Sequence, residues 1–143
     1  MMNAEGSIAV ALTFVWLGMV LAISFLEAPL KFRAPDVTRR IGLGIGRLVF
    51  RALNSVEVVF AVILVAVILA KPPPTGVIAA LLTAFATLAA QLLVVRPFLN
   101  RRSAKVLAGL DAPRSRGHYA YVGLEAVKVI ALVVAGVLLL ATP

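Results

Sequence analysis

Four long apolar stretches divide this chain, and most of its polar residues are confined to the segments between them. The stretches cover residues 7–26, 52–70, 77–95 and 120–141. Each is close to the roughly 20 residues that an α-helix needs to cross about 30 Å of hydrocarbon. Membrane β-barrels instead show alternating segments of about ten residues, and these runs are apolar on all sides. The pattern therefore predicts an all-α, polytopic membrane protein with four transmembrane helices.

The predicted architecture is a single domain, residues 1–143, folded as an up-down four-helix bundle. We expect helices over about residues 7–28, 50–70, 77–96 and 119–141, and basic loops over residues 29–49 and 97–118. Pro29 should stop or kink the first helix. Short interfacial helices are expected inside the two basic loops, near residues 37–48 and 100–108. The second and third helices should be antiparallel neighbours, because the proline-rich segment Lys71-Pro72-Pro73-Pro74-Thr75-Gly76 is short and stiff.

The basic residues predict how the bundle faces the membrane. Twelve of the fourteen Lys and Arg residues lie in the two long loops or at their borders, whereas the proline-rich segment has only Lys71. The positive-inside rule then places both long loops in the cytoplasm and both termini outside. The first apolar run is too long for a signal-peptide core, so it is expected to be retained as a helix. We therefore expect a multi-pass protein of the bacterial cytoplasmic (inner) membrane.

The amino-acid composition limits the classes of function that this chain can have. The chain is 62% hydrophobic and only 14% charged, with a net charge of +8, which lies outside the usual range of soluble proteins. A nucleic-acid partner is not expected, because the basic residues flank the membrane spans and few aromatic residues lie among them. Attraction to anionic lipid headgroups is the expected role of the loop arginines, among them Arg39, Arg40, Arg47, Arg101 and Arg102.

The chain has no Cys and a single His. It therefore cannot form a disulfide, a thiolate nucleophile, a Cys-ligated zinc or iron–sulfur site, or a bis-His haem site within one subunit. His118 follows Arg116 at the start of the fourth span and is expected to be solvated at the interface. We predict no metal site, no cofactor and no catalytic residue, and hence a protein that is not an enzyme.

Ionisable residues inside the spans are costly and are usually paired or functional. Counted from the outer ends at about 1.5 Å per residue, Glu57, Gln91 and Lys128 all lie about 20 Å deep. Asn54 and Glu125 lie about one turn closer to the cytoplasmic boundary. We expect these five residues to form one intramembrane polar layer.

Further polar residues mark the cytoplasmic edge of this layer. Glu27 lies at the boundary, and His118, Tyr121 and Glu125 follow one another at helical spacing. They predict a polar stripe that leads from the cytoplasm to the layer.

Two interpretations of the layer are open. As a structural clasp, Glu57 or Glu125 neutralises Lys128 while Gln91 and Asn54 satisfy the remaining donors and acceptors across the helices. As a site, two carboxylates and one ammonium leave a net negative charge in a medium of low dielectric constant, which could exchange a proton or hold a cation.

Several short motifs resemble the four-helix membrane family that includes human transmembrane protein 205. They are Val15-Trp16-Leu17-Gly18, Ala28-Pro29 with Phe32, Gly46-Arg47-Leu48-Val49-Phe50, and Arg96-Pro97 at the exit of the third helix. The resemblance spans most of the chain and implies the same four-helix topology, but it supplies no catalytic residues. Haem- and copper-associated four-helix proteins place a His in the first span, and this chain has none there.

These features lead to two functional hypotheses. The first is a non-catalytic accessory or assembly subunit of a larger transport or envelope-lipid complex, which binds other membrane subunits or itself through small residues such as Gly123, Ala126 and Gly136. The second is a small, oligomeric transporter or exporter that uses Glu57, Glu125 and Lys128 as its coupling site.

Overall fold

The computed structural model of the protein describes residues 2–109 and 116–142. These residues are helical apart from short connections, and they contain no strand. Four helices are long and apolar enough to cross a membrane. They are α1 (Ala4–Arg33), α2 (Arg39–Ala70), α3 (Thr75–Leu107) and α4 (Arg116–Ala141). The prediction of an all-α protein with four helices of membrane-spanning length is confirmed, and this architecture indicates a membrane protein.

The helices begin where the sequence supplies capping groups. The Asn3 side chain accepts a hydrogen bond from the Gly6 backbone N–H at 2.8 Å, and Thr38 Oγ1 accepts one from Ile41 N–H at 3.2 Å. Such side-chain caps satisfy N–H groups that have no partner within the first turn of a helix. The short proline-rich segment before α3 cannot continue the helix of α2, so it separates the two.

Helices α2 and α3 extend well beyond their apolar runs at the basic end of the bundle. Helix α2 begins at Arg39 and α3 ends at Leu107. Residues 39–49 and 97–107, expected as loop with short separate helices, are therefore helical and continuous with the spans. Arginine, leucine and lysine are good helix formers, and long basic side chains reach water from a helix end. The rest of the second expected basic loop lies partly outside the described residues.

Helix α1 runs on past Pro29 to Arg33, so of the two expected effects of Pro29, a stop or a kink, the stop is wrong. A π-helical segment ends two residues before Pro29, and another ends two residues before Pro97 in α3. A proline removes one N–H donor and clashes with the carbonyl four residues earlier, and a wider turn relieves that clash. The two π-helical segments are Leu21–Glu27 and Gln91–Val95.

The four helices pack as a ring. Side-by-side contacts join α1 to α2, α2 to α3, α3 to α4, and α4 to α1, so α2 and α4 lie on opposite sides of the bundle. One cleft is lined by Asn3, Lys71 and Thr142 together with the prolines before α3. Asn3, Thr142 and the α2–α3 connection therefore lie at the same end of the bundle, and successive helices run in opposite directions.

The closest packing is between α3 and α4. Ala80 and Ala84 of α3 and Ala131 and Ala135 of α4 are buried there, and small side chains at a spacing of four let two helix backbones approach closely. The outward surface is apolar instead, with many large aliphatic side chains exposed, such as Leu93 at 78%. The bundle therefore has an apolar exterior suited to lipid.

Candidate functional site

Lys128 lies at the centre of the bundle between two carboxylates. Its Nζ is 2.5 Å from Glu57 Oε2 and 2.7 Å from Glu125 Oε1. All three side chains are buried, with an exposed fraction of 1% or less. Glu57 belongs to α2 and Lys128 to α4, so this ion pair links the two helices that lie opposite each other.

Two neutral donors from α1 complete the arrangement. Trp16 Nε1 donates to Glu57 Oε2 at 2.8 Å, and Ser24 Oγ donates to Glu125 Oε2 at 2.7 Å. The Trp16 indole also stacks on Phe85 of α3, with a distance of 6.1 Å between ring centroids. We call Trp16, Ser24, Glu57, Glu125 and Lys128 the ionic network. Through it and the indole stack, all four helices are connected at the bundle centre.

The ionic network carries a formal charge of −1, because it contains two carboxylates and one ammonium group. Removing charges from water is costly, and only short ion pairs with further hydrogen bonds offset that cost. Glu57 Oε1 is buried and has no hydrogen-bond partner among the described residues. None of the three charged side chains lines the cleft beside Asn3 and Lys71 or the groove between α2 and α3 that is described below. The network is therefore sealed from bulk water.

Gln91 and Asn54 do not join the ionic network as the polar-layer prediction required. Gln91 Nε2 donates to the backbone oxygen of Tyr121 at 3.3 Å, two helical turns from Lys128 toward the basic end. Asn54 is 6% exposed, and its Oδ1 has no hydrogen-bond donor within residues 2–109 and 116–142. The depth count treats all helix ends as level, and the stagger between α3 and α4 makes that assumption fail for Gln91.

The expected cytoplasmic-edge residues occupy three different environments. Glu27 Oε2 lies 3.7 Å from Lys31 Nζ, one turn along α1. Tyr121 is buried and packs edge-to-face on Phe50 at 5.7 Å. His118 is exposed, and its ring contacts the neighbouring Tyr119.

A second polar region, which we call the basic groove, lies between α2 and α3 at the basic end of the bundle. It has a volume of about 670 Å³. Its polar lining includes Arg47, Arg51 and Asn54 of α2 together with Arg96 and Asn100 of α3. The rest of the lining is mostly apolar, and no carboxylate belongs to it.

Arg96 is held in the wall of the basic groove by aromatic rings. Its guanidinium carbon lies 5.0 Å from the Phe50 ring centroid and 4.6 Å from that of Tyr121, which are cation–π distances. Two of its nitrogens, Nε and Nη2, are buried without a hydrogen-bond acceptor in the described part of the chain. In the sequence Arg96 is recognisable only as a basic residue at the end of an apolar run, because its aromatic partners come from two other helices.

The five arginines predicted to bind lipid headgroups all lie at the basic end of the bundle. Arg102 is half-buried, and the other four are exposed. Of these five only Arg47 lines the basic groove. Arg51 and Arg96, which also line it, were not predicted as headgroup ligands. The other four predicted arginines lie outside the lining of the groove: Arg39, Arg40, Arg101 and Arg102.

No protein-family model matches the chain, and no curated protein or solved structure matches it either. The resemblance to the family that includes human transmembrane protein 205 therefore stays a prediction.

Proposed function

We propose that the protein is a non-catalytic accessory or assembly subunit of a larger transport or envelope-lipid complex in the bacterial cytoplasmic membrane. The observation that carries the proposal is the sealed state of the ionic network. Glu57 and Glu125 each pair with Lys128, both carboxylates accept a hydrogen bond from α1, and all three side chains are 1% exposed or less. Charges held in this way stabilise one arrangement of four helices and are closed to a substrate.

A rigid bundle of this kind offers its outer faces to a partner. Gly123 and Ala126 are exposed on α4, and a Cβ atom added at Gly123 would meet no other atom within 4 Å. Small exposed residues let a second helix approach closely in a membrane. Gly136, also expected to bind a partner, is buried against the Phe14 ring and is therefore not available to one.

The proposed orientation has the basic end of the bundle in the cytoplasm and both termini outside. Its support is the distribution of charge, because the basic residues concentrate at one end, while the opposite end has Lys71 as its only basic side chain among the described residues. The positive-inside rule assigns such an end to the cytoplasm.

Co-purification tests the subunit proposal. The full chain, solubilised from its native membrane in mild detergent, is expected to migrate as part of a larger complex. Gly123→Leu should release the partner without lowering the melting temperature of the isolated bundle, because a Cβ atom added there meets no other atom within 4 Å. Val137→Leu, on an exposed part of the same helix, is the matched control and should retain the partner. A wild-type chain that migrates alone would contradict the proposal.

The second candidate is a small, oligomeric transporter or exporter. The observation in its favour is the unpartnered acceptor Glu57 Oε1 at the bundle centre, within a network of net negative charge. Proteoliposomes that contain a pH-sensitive dye would report proton or sodium-linked proton flux. Under this hypothesis Glu57→Gln and Glu125→Gln abolish the flux and Glu5→Gln does not. Flux that both network variants leave unchanged removes the carboxylates from any transport mechanism.

A further inference from the structure

We propose that the basic groove binds one anionic glycerophospholipid, with its phosphate at Arg51 and Arg96 and an acyl chain against Val58 and Leu92. This inference goes beyond the proposed function and does not depend on it. It rests on the charge of the groove, on polar groups that the chain leaves unpaired, and on where the groove lies along the helices.

The charge of the groove is unbalanced. Three guanidinium groups, those of Arg47, Arg51 and Arg96, line it without any carboxylate, and no salt bridge joins them to an acid of the described residues. Like charges that share one groove repel each other, and a bound anion relieves the repulsion. A phosphodiester suits this set, because a guanidinium offers paired N–H donors to two phosphate oxygens.

Unpaired polar groups give an independent reason for a ligand. Asn54 lines the groove, is 6% exposed, and has no donor for its Oδ1. Arg96 lacks acceptors for two of its nitrogens. Buried polar groups are nearly always hydrogen-bonded in folded proteins, so exceptions at one place call for an explanation. A lipid headgroup provides both kinds of partner, since its phosphate accepts hydrogen bonds and a glycerol hydroxyl donates one to Asn54.

The position of the groove selects a lipid over a soluble phosphate. Arg51 directly precedes the apolar run 52–70, and Arg96 directly follows the run 77–95, so both arginines lie at the border of the hydrocarbon layer. Val58 and Leu92 continue the lining from there into the apolar part of the bundle. A free phosphate would leave these side chains and most of the volume of about 670 Å³ unfilled.

Native mass spectrometry of the detergent-solubilised full chain tests the site. Titration with phosphatidylglycerol is expected to give one tightly bound lipid per chain. Phosphatidylcholine with the same acyl chains should bind at least about tenfold more weakly, because its choline group meets the arginines. Glycerol 3-phosphate, which has no acyl chain, should bind at least about a hundredfold more weakly. Equal binding of the two lipids, or tight binding of glycerol 3-phosphate, would overturn the inference.

Variants separate a built site from general attraction between positive residues and anionic lipid. Arg51→Gln and Arg96→Gln should each weaken phosphatidylglycerol binding about tenfold, the effect of losing one charge-assisted hydrogen bond. Arg40→Gln, an exposed change at the same end of α2 but outside the groove, should change it less than about twofold. Equal losses in Arg40→Gln and Arg51→Gln would refute the groove. Arg51 is exposed, so its variant is expected to fold and decides the question even if Arg96→Gln does not.

Discussion

The ionic network and the basic groove are built partly from the same helix, and they handle charge in opposite ways. Glu57 of α2 belongs to the network, where Lys128 and two neutral donors come from the chain itself. Arg51 of the same helix lines the groove, where three cations have no acid of the described residues beside them. A charge whose partners are all internal strengthens the fold, whereas a charge without an internal partner is available to a ligand. The network lies inside the apolar runs and the groove at their border, so the two regions differ both in depth and in access to an outside partner.

The largest expected effect comes from breaking the network at its centre. Lys128→Met leaves two buried carboxylates without their cation and should lower the free energy of unfolding by about 3–5 kcal/mol. Trp16 reports unfolding in detergent, because it is the single tryptophan and is fully buried. Lys71→Met removes the same charge from an exposed connection and should shift stability by less than about 0.5 kcal/mol. Equal stability of the two variants would mean that the network does not hold the bundle together.

The next largest effect on stability is expected from substituting two glycines of α4. A Cβ at Gly136 would lie 2.6 Å from the Phe14 ring, whereas one at Gly123 would meet nothing within 4 Å. Gly136→Ala should therefore cost about 1–3 kcal/mol through overpacking, and Gly123→Ala should stabilise the helix by up to about 1 kcal/mol. Thermal unfolding of both variants in the same detergent measures the difference. The opposite order would show that the Phe14–Gly136 contact does not limit the packing of α1 on α4.

Removing one carboxylate is expected to cost less than removing the ammonium. In Glu57→Gln the amide oxygen still accepts from Trp16, and Lys128 keeps Glu125 at a network charge of zero. We expect a loss of about 1 kcal/mol in the free energy of unfolding, together with a change in Trp16 emission. A loss as large as that of Lys128→Met would show that Glu125 does not neutralise Lys128 alone.

The smallest expected effect lies in the groove. Without lipid, Arg51→Gln should change the free energy of unfolding by less than about 0.5 kcal/mol, because Arg51 is exposed and forms no salt bridge with the described residues. Added phosphatidylglycerol should raise the melting temperature of the wild type and raise that of the variant less, since a ligand stabilises the state that it binds. An equal rise in both proteins would show that Arg51 does not contribute to stabilisation by the lipid.

The apolar runs were sufficient to predict the four helices, because a membrane span requires about twenty apolar residues in succession. Depth counting also brought Glu57 and Lys128 to one level, and the structure joins them. The same count places Ser24 about 26 Å from Ser7 and Glu125 about 24 Å from Ala141, so it could have paired these residues as well. Ser24 gives a weak sequence signal, because a neutral hydroxyl in a membrane helix carries little energetic penalty.

Other parts of the site depend on packing that no local pattern encodes. Gln91 lies level with Tyr121 because of the stagger between α3 and α4, and Arg96 enters the groove wall because Phe50 and Tyr121 hold it there. Such contacts join residues far apart in the chain. Their prediction requires the relative height and rotation of the helices, which composition and periodicity leave undetermined.

The π-helical segment Gln91–Val95 determines which way the later side chains of α3 point around the helix axis. One additional residue in a turn rotates the later side chains by about 100° around the helix axis relative to an uninterrupted α-helix. Arg96 and Asn100 face α2 with that rotation included. Deleting a single residue from this turn would restore a regular α-helix and rotate both side chains away from α2. The side of α3 on which the groove forms therefore depends on one additional residue within the span.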